Sequence, residues 1–286
     1  MTSTPSTPRS NAGEPSLGPG YAEVIGDPVA QSKSPAIHGF WLKALGIDGE
    51  YRAHQVARAE LADYLARRRA DPAWRGCNVT MPLKLDALML ADDPTDRATA
   101  AGAANLLVHR DGKLIAANTD VGAIRDLVAP LVTTGEATPI TLLGNGGAAR
   151  AVLLALRLLG AGPVALQARD MADATRLAVE FRLEEGPRPF DTPVDSRGLI
   201  NATPLGMAGI APTRIDIGGM PADGWVLDLV SNPLPTPLLV SAAARGLTVI
   251  DGLSVLVEQA ADSFELLFGQ KPPRDRDAEL FAILRA

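Results

Sequence analysis

Residues 140–159 read ITLLGNGGAARAVLLALRLL, and this stretch decides the fold class. A strand-like run, Ile140 to Leu143, leads directly into Gly144-Asn145-Gly146-Gly147-Ala148-Ala149. An apolar-periodic helix from Arg150 to Leu159 follows, and Gly160 closes it. Gly144, Gly146 and the small Ala149 stand at the G-x-G-x-x-A spacing. In such a turn glycine lets the backbone approach a pyrophosphate where a Cβ would collide, and the helix start supplies N–H donors. An ordinary tight turn could carry the same glycines. Strand, turn and helix in this order favour a dinucleotide site instead.

The next strand, Val164 to Ala168, ends at Arg169-Asp170. An acidic side chain there would take the ribose 2′-hydroxyl of NAD, whereas an arginine would neutralise the 2′-phosphate of NADP. Arg169 comes first and points to NADP; Asp170 beside it keeps NAD possible. Further strands are read at Gly198 to Asn201, Trp225 to Leu229 and Leu247 to Ile250, and a helix from Ser254 to Phe268.

Before this unit the same alternation holds. Tyr21 to Ile25 reads as a strand, and Ser34-Pro35 opens a helix with Ser34 at the N-cap and Gly46 at the C-cap. Strands at Tyr51 to Val56 and Gly76 to Thr80 flank a helix from Ala59 to Arg69. Asn105 to Asn118 reads as a hairpin around Asp111-Gly112. A second α/β unit begins near Val121. The alternation predicts an α/β fold with parallel sheets.

Composition removes several function classes. With 47% hydrophobic and 21% charged residues the chain is that of a globular protein. Its longest apolar stretch, Ala151 to Gly162, is cut by Arg157 and falls short of the ~20 residues that cross a membrane. Residues 1–19, rich in Ser, Thr, Pro and Gly, read as a disordered leader with no signal or anchor. Cys77 is the only cysteine and the three histidines are far apart, which predicts a metal-free, cytoplasmic protein. Net charge is −6, and Arg67-Arg68-Arg69 reads as a solvated helix face, so nucleic acid is not an expected partner.

Three segments are over-specified for scaffolding: Ser32-Lys33-Ser34-Pro35, Asn78-Val79-Thr80-Met81-Pro82-Leu83-Lys84 and Asn118-Thr119-Asp120. Each lies at a turn or strand end, where open α/β sheets bind ligands. Their hydroxyl, amide, ammonium and carboxylate groups suit a polyhydroxylated acid. Hydride addition to a ketone develops an alkoxide that the Lys84 ammonium could stabilise and protonate, with Asp120 orienting it. Taken singly, Lys84 could be an exposed lysine at a helix start and Asp120 a helix cap.

From about Tyr21 to its C-terminus the chain resembles the shikimate dehydrogenase family. The motifs IGDPVAQSKSPAIH, GCNVTMPLK, GAAN, NTD, GNGGAAR, INATPLGM and DGLSVLVEQA carry the resemblance in order. It implies NADP-dependent reduction of 3-dehydroshikimate to shikimate, on the route to chorismate and the aromatic amino acids. It also implies two α/β domains with the active site in the cleft between them. Residues 20–121 plus 253–286 would bind substrate, and 122–252 would form a Rossmann-like NADP-binding domain. Lys84 and Asp120 match the catalytic pair. Ser32 and Ser34 would hold the substrate carboxylate; Thr80, Asn105 and Gln259 the ring hydroxyls and carbonyl region. Gly144, Asn145, Gly146, Gly147, Ala148 and Arg169 would hold the cofactor, with Asn201 and Thr203 in a loop beside it and Gly252 near the nicotinamide. The expected partner is a small-molecule substrate, and the protein is expected to be a monomer or homodimer.

The chain departs from the family pattern at three places. Ser231 stands where many relatives carry tyrosine, and Leu106 where threonine is frequent, which would remove a hydroxyl near the ring. Ala168-Arg169-Asp170 replaces Asn-Arg-Thr. The rival readings are a quinate or aminoshikimate dehydrogenase using NAD, and a catalytically silent dinucleotide-binding paralogue. A nucleotide-dependent transferase is disfavoured, because no G-K-S/T follows the glycines.

Overall fold

The computed structural model describes residues 20–132 and 138–286, so the expected leader lies outside the described residues. In chain order the first part runs Gly20–Gly26 (β1), Ser34–Leu45 (α1), Gly49–Gln55 (β2), Leu61–Arg69 (α2), Trp74–Val79 (β3) and Lys84–Met89 (α3). Asp93–Pro94 (β4), Asp96–Ala101 (α4), Leu106–Arg110 (β5), Lys113–Ala117 (β6) and Asp120–Val128 (α5) complete it. The six strands form one sheet in the order β2-β1-β3-β5-β6-β4. This sheet is mixed, not purely parallel: β5 runs antiparallel to both β3 and β6. The reversal comes from the β5–β6 hairpin, whose turn holds Asp111 at φ 52 and Gly112 at φ 75. Positive φ at both central residues is the two-residue turn that matches strand twist.

The second part runs Ile140–Leu143 (β7), Gly147–Leu159 (α6), Val164–Ala168 (β8), Met171–Glu180 (α7), Arg188–Pro189 (β9) and Gly198–Asn201 (β10). Trp225–Asp228 (β11), Pro237–Ala244 (α8) and Thr248–Asp251 (β12) follow, then Gly252–Phe268 (α9) and Asp277–Arg285 (α10). Strands β7 to β12 make a second six-stranded sheet in the order β12-β11-β10-β7-β8-β9, parallel throughout. β7, β10 and β11 are buried at every residue, as a sheet covered on both faces requires.

α6 lays Ala149, Val152, Leu153 and Leu156 into a core with Leu142, Leu166 and Ile200. Truncating one such leucine to alanine costs about 2–5 kcal/mol. α9 leaves the second sheet at β12 and packs on the first: Leu253, Val257, Ala260 and Phe264 join a core with Val24, Trp41 and Leu106. Leu106 is therefore a core residue, and its side chain does not reach the ligand cleft as the sequence suggested. At α1 the N-cap position belongs to Lys33; Ser34 is the first helical residue and Pro35 follows. Gly46 closes the helix in the left-handed conformation at φ 63.

Candidate active site

The carboxyl ends of β1, β3 and β6 share one rim of the first sheet with the antiparallel start of β5. That rim carries the loops after Gly26, Val79 and Ala117, together with Asn105. Backbone bonds knit it: Thr80 donates to Ile25 O at 2.9 Å, Val79 to Asn105 O at 2.7 Å and Asn105 to Ala117 O at 3.1 Å. In the parallel second sheet the carboxyl ends of β7, β8, β10, β11 and β12 carry Gly144, Arg169, Asn201, Leu229 and Gly252. One cleft of about 1180 Å³ is lined from both rims.

Lys84 opens α3 and Asp120 opens α5, and their side chains meet: Lys84 Nζ donates to Asp120 Oδ2 at 2.5 Å. Both are largely buried, with side-chain exposures of 15% and 13%. Asp120 caps no helix N–H. Its other oxygen accepts from Asn105 Nδ2 at 2.8 Å. Asn105 is fixed in turn, because its Oδ1 accepts from Thr119 N at 2.8 Å and its Nδ2 reaches Thr119 Oγ1 at 2.9 Å.

From there a buried chain of hydrogen bonds runs inward. Thr119 Oγ1 meets Ser263 Oγ at 3.1 Å, and Asn78 Nδ2 donates to Ser263 at 2.9 Å. Tyr51 OH donates to Asn78 Oδ1 at 2.7 Å. His38 stacks on Tyr51 with ring centroids 3.9 Å apart, and burial holds its pKa down at about 3. Gln259 joins the chain through its Oε1, 3.3 Å from both Asn105 Nδ2 and Thr119 Oγ1. The sequence reading gives no role to Tyr51 or Ser263, and none to Asn78 or Thr119 beyond their place in two of the over-specified segments. Only Asn78 and Thr119 lie within the motifs quoted above; Ser263 looks like any helical serine until α9 is packed.

Ser32 and Ser34 line the same cleft beside Thr80 and Gln259. Ser32 Oγ accepts from Ser34 N at 3.3 Å. Ser34 is 4% exposed, and its hydroxyl makes no hydrogen bond with the described residues. Ser231, in the loop after β11, also lines the cleft.

On the opposite rim Gly144 takes φ +102, and a Cβ there would approach Thr203 Cγ2 at 2.9 Å. Gly146 is the N-cap of α6 without any side-chain cap, and a Cβ there would meet nothing within 4 Å. Uncapped N–H groups therefore open onto free space at a helix start, which fits a pyrophosphate. Asn145, Gly147 and Ala148 line the cleft beside them. Arg169 is exposed in the same wall and forms no ion pair with the described residues. The Asp170 carboxylate is occupied as the α7 N-cap, accepting from Asp173 N at 3.0 Å. The residues present fit a dinucleotide phosphorylated on its ribose.

Asn201 is fully buried and does not line the cleft, although Thr203 does. Asn201 Oδ1 accepts from Thr203 Oγ1 at 2.6 Å, and its Nδ2 donates to Asp228 Oδ1 at 2.9 Å. Burial pushes the Asp228 carboxyl above the usual carboxylate range, while hydrogen bonds from Thr236, Val230 and Asn201 pull it back. Asp228 thereby ties the Thr203 loop to the Ser231 loop. Gly252 lines the cleft, and a Cβ there would strike Leu229 O and Val230 O at 2.5 Å, so a close approach of two loops requires the glycine. Among the described residues, no helix is long and apolar enough to cross a membrane, and no three His, Cys, Asp or Glu side chains form a metal-binding group.

The family profile described as shikimate dehydrogenase substrate binding domain matches residues 24–107. Its companion, shikimate 5′-dehydrogenase C-terminal domain, matches residues 252–279. A shikimate dehydrogenase (NADP(+)) of Sphingopyxis alaskensis is 50% identical over 268 residues, spanning 93% of this chain and 97% of that protein. The crystal structure of shikimate 5-dehydrogenase from Thermus thermophilus in complex with NADP(H) and shikimate superposes with a TM-score of 0.81. It is 35% identical over 93% of this chain and 99% of its own. Quinate dehydrogenase from Corynebacterium glutamicum in complex with NAD gives a TM-score of 0.79 at 28% identity, over 93% of this chain and 99% of its own.

Proposed function

Because the chain belongs to the shikimate dehydrogenase family, we propose that it catalyses the reversible, NADP-dependent reduction of 3-dehydroshikimate to shikimate. The observation that carries this reading is the Lys84–Asp120 pair, set in one cleft with a serine loop on one side and a glycine loop on the other.

Ser32 and Ser34 hold the substrate carboxylate through hydroxyl donors, and Thr80, Asn105 and Gln259 orient the ring. Lys84 donates its proton to the alkoxide oxygen that develops at the ketone carbon. Asp120, held by Asn105, keeps the ammonium aimed at that oxygen and stabilises its charge. In the oxidative direction the Lys84 amine takes the proton back. The bound reduced nicotinamide supplies the hydride. Gly144, Asn145, Gly146, Gly147 and Ala148 cradle the pyrophosphate, with Thr203 and Gly252 in the wall beside it and Asn201 holding the Thr203 loop. Arg169 meets the 2′-phosphate as a charge-assisted donor.

Residues 20–121 with 253–286 make up the substrate domain and 122–252 the cofactor domain. The protein works in the cytoplasm, as a monomer or homodimer.

Absorbance at the reduced-nicotinamide band, with shikimate or quinate against NADP or NAD, tests the assignment. The highest kcat/KM is expected for shikimate with NADP. Arg169→Ala is expected to lower it about tenfold or more with NADP while sparing NAD. A preference for quinate with NAD would replace this reading with its rival.

A further inference from the structure

We infer that Lys33 supplies the counter-charge that selects an anionic substrate at the serine end of the cleft. The inference rests on the activity proposed above and deepens it. A carboxylate held only by two hydroxyls would give up its hydration with no opposite charge nearby, which is costly. The cleft wall contains three cations and two acids: Lys33, Lys84 and Arg169, against Asp120 and Asp170. Lys84 is neutralised by Asp120 at 2.5 Å. Arg169 and Asp170 are neighbours at the opposite, cofactor end. Lys33, between Ser32 and Ser34, is therefore the unbalanced charge of the substrate end, and no carboxylate of the described residues pairs with it.

The Lys33 ammonium is held in place. It donates to the backbone carbonyl of Leu284 at 2.5 Å, near the end of α10. The last carbonyls of a helix lack partners and favour a cation. A carbonyl fixes the ammonium without cancelling its unit charge. The last helix thus fixes the charge of a residue that lines the cleft, and that charge acts on the carboxylate through space.

Gln and Arg substitutions separate charge from anchoring. Lys33→Gln keeps a donor for Leu284 O and loses the charge; Lys33→Arg keeps both. Steady-state kinetics with shikimate, and with its carboxamide as the uncharged probe, read the difference. Lys33→Gln is expected to raise KM for shikimate about tenfold, with kcat within about twofold. Lys33→Arg should stay near the parent, and KM for the carboxamide should be the same in all three proteins. The parent KM for shikimate should also rise with ionic strength, and that of Lys33→Gln should not. An unchanged KM for shikimate in Lys33→Gln, or an equal rise for acid and amide, would overturn the inference while leaving the activity standing. A parent protein that did not turn over shikimate would overturn both.

Discussion

A methyl group added at Gly147 would lie 2.9 Å from Lys84 Cβ and 3.2 Å from Lys84 Cδ. The first residue of α6, in the glycine loop, therefore packs directly against the side chain whose ammonium pairs with Asp120. This contact joins the start of α6 to the start of α3, and it leaves no room for a Cβ.

Gly147→Ala should displace Lys84 by a few tenths of an ångström or more without touching either core. Small misplacements of a reacting group are costly in rate. The expected result is a fall in kcat of about tenfold or more with a Tm shift of no more than a few degrees. Steady-state rates and a thermal melt check it; an unchanged kcat would show that the contact relaxes freely.

Ser263 is the junction of the buried chain, accepting from Asn78 Nδ2 and meeting Thr119 Oγ1. Ser263→Ala leaves Asn78 Nδ2 with only its longer bond to Asn105 O at 3.4 Å, at a cost of about 1–3 kcal/mol. Because Thr119 also holds Asn105, and Asn105 holds Asp120, kcat should fall further than NADP affinity does. Chemical denaturation and cofactor titration read the two effects separately.

His38 is fully buried, and its pKa is lowered by burial from 6.5 to about 3. Among the described residues neither ring nitrogen has a hydrogen-bond partner. Below about pH 6.5 the unfolded chain takes up a proton that the folded chain refuses, so folding stability falls with acidification. It is full above that pH and drops by at most about 1.4 kcal/mol per pH unit for this group. Urea denaturation at pH 7, 6 and 5 should show the drop, and His38→Phe should flatten it.

Strong local patterns make much of this legible. β7, β8 and β10 have the same limits in sequence and structure, because short apolar runs bounded by glycine, proline or charge admit little else. The Asp111-Gly112 turn is equally plain. α4 escapes a sequence reading because six residues are too few for a period to show, and of the equally short α3 only the start at Lys84 is legible. α7 buries only Ala174, Leu177 and Ala178, so its apolar stripe is faint. Motif alignment puts Leu106 on the ligand side, whereas strand alternation turns it into the core. Lys84 and Asp120 are readable from motifs 36 residues apart, yet Asn105 as the link between Asp120 and Thr119 depends on strand ends meeting along one rim of the first sheet.

If Lys84 carries the proton to the ketone oxygen, Lys84→Ala removes the donor itself. With shikimate and NADP, followed at the reduced-nicotinamide band, kcat should fall by about 10²- to 10⁴-fold. NADP affinity, measured by titration on the same preparation, should stay within about threefold of the parent. Parental turnover by Lys84→Ala would mean that another group moves the proton and that Lys84 is not the acid.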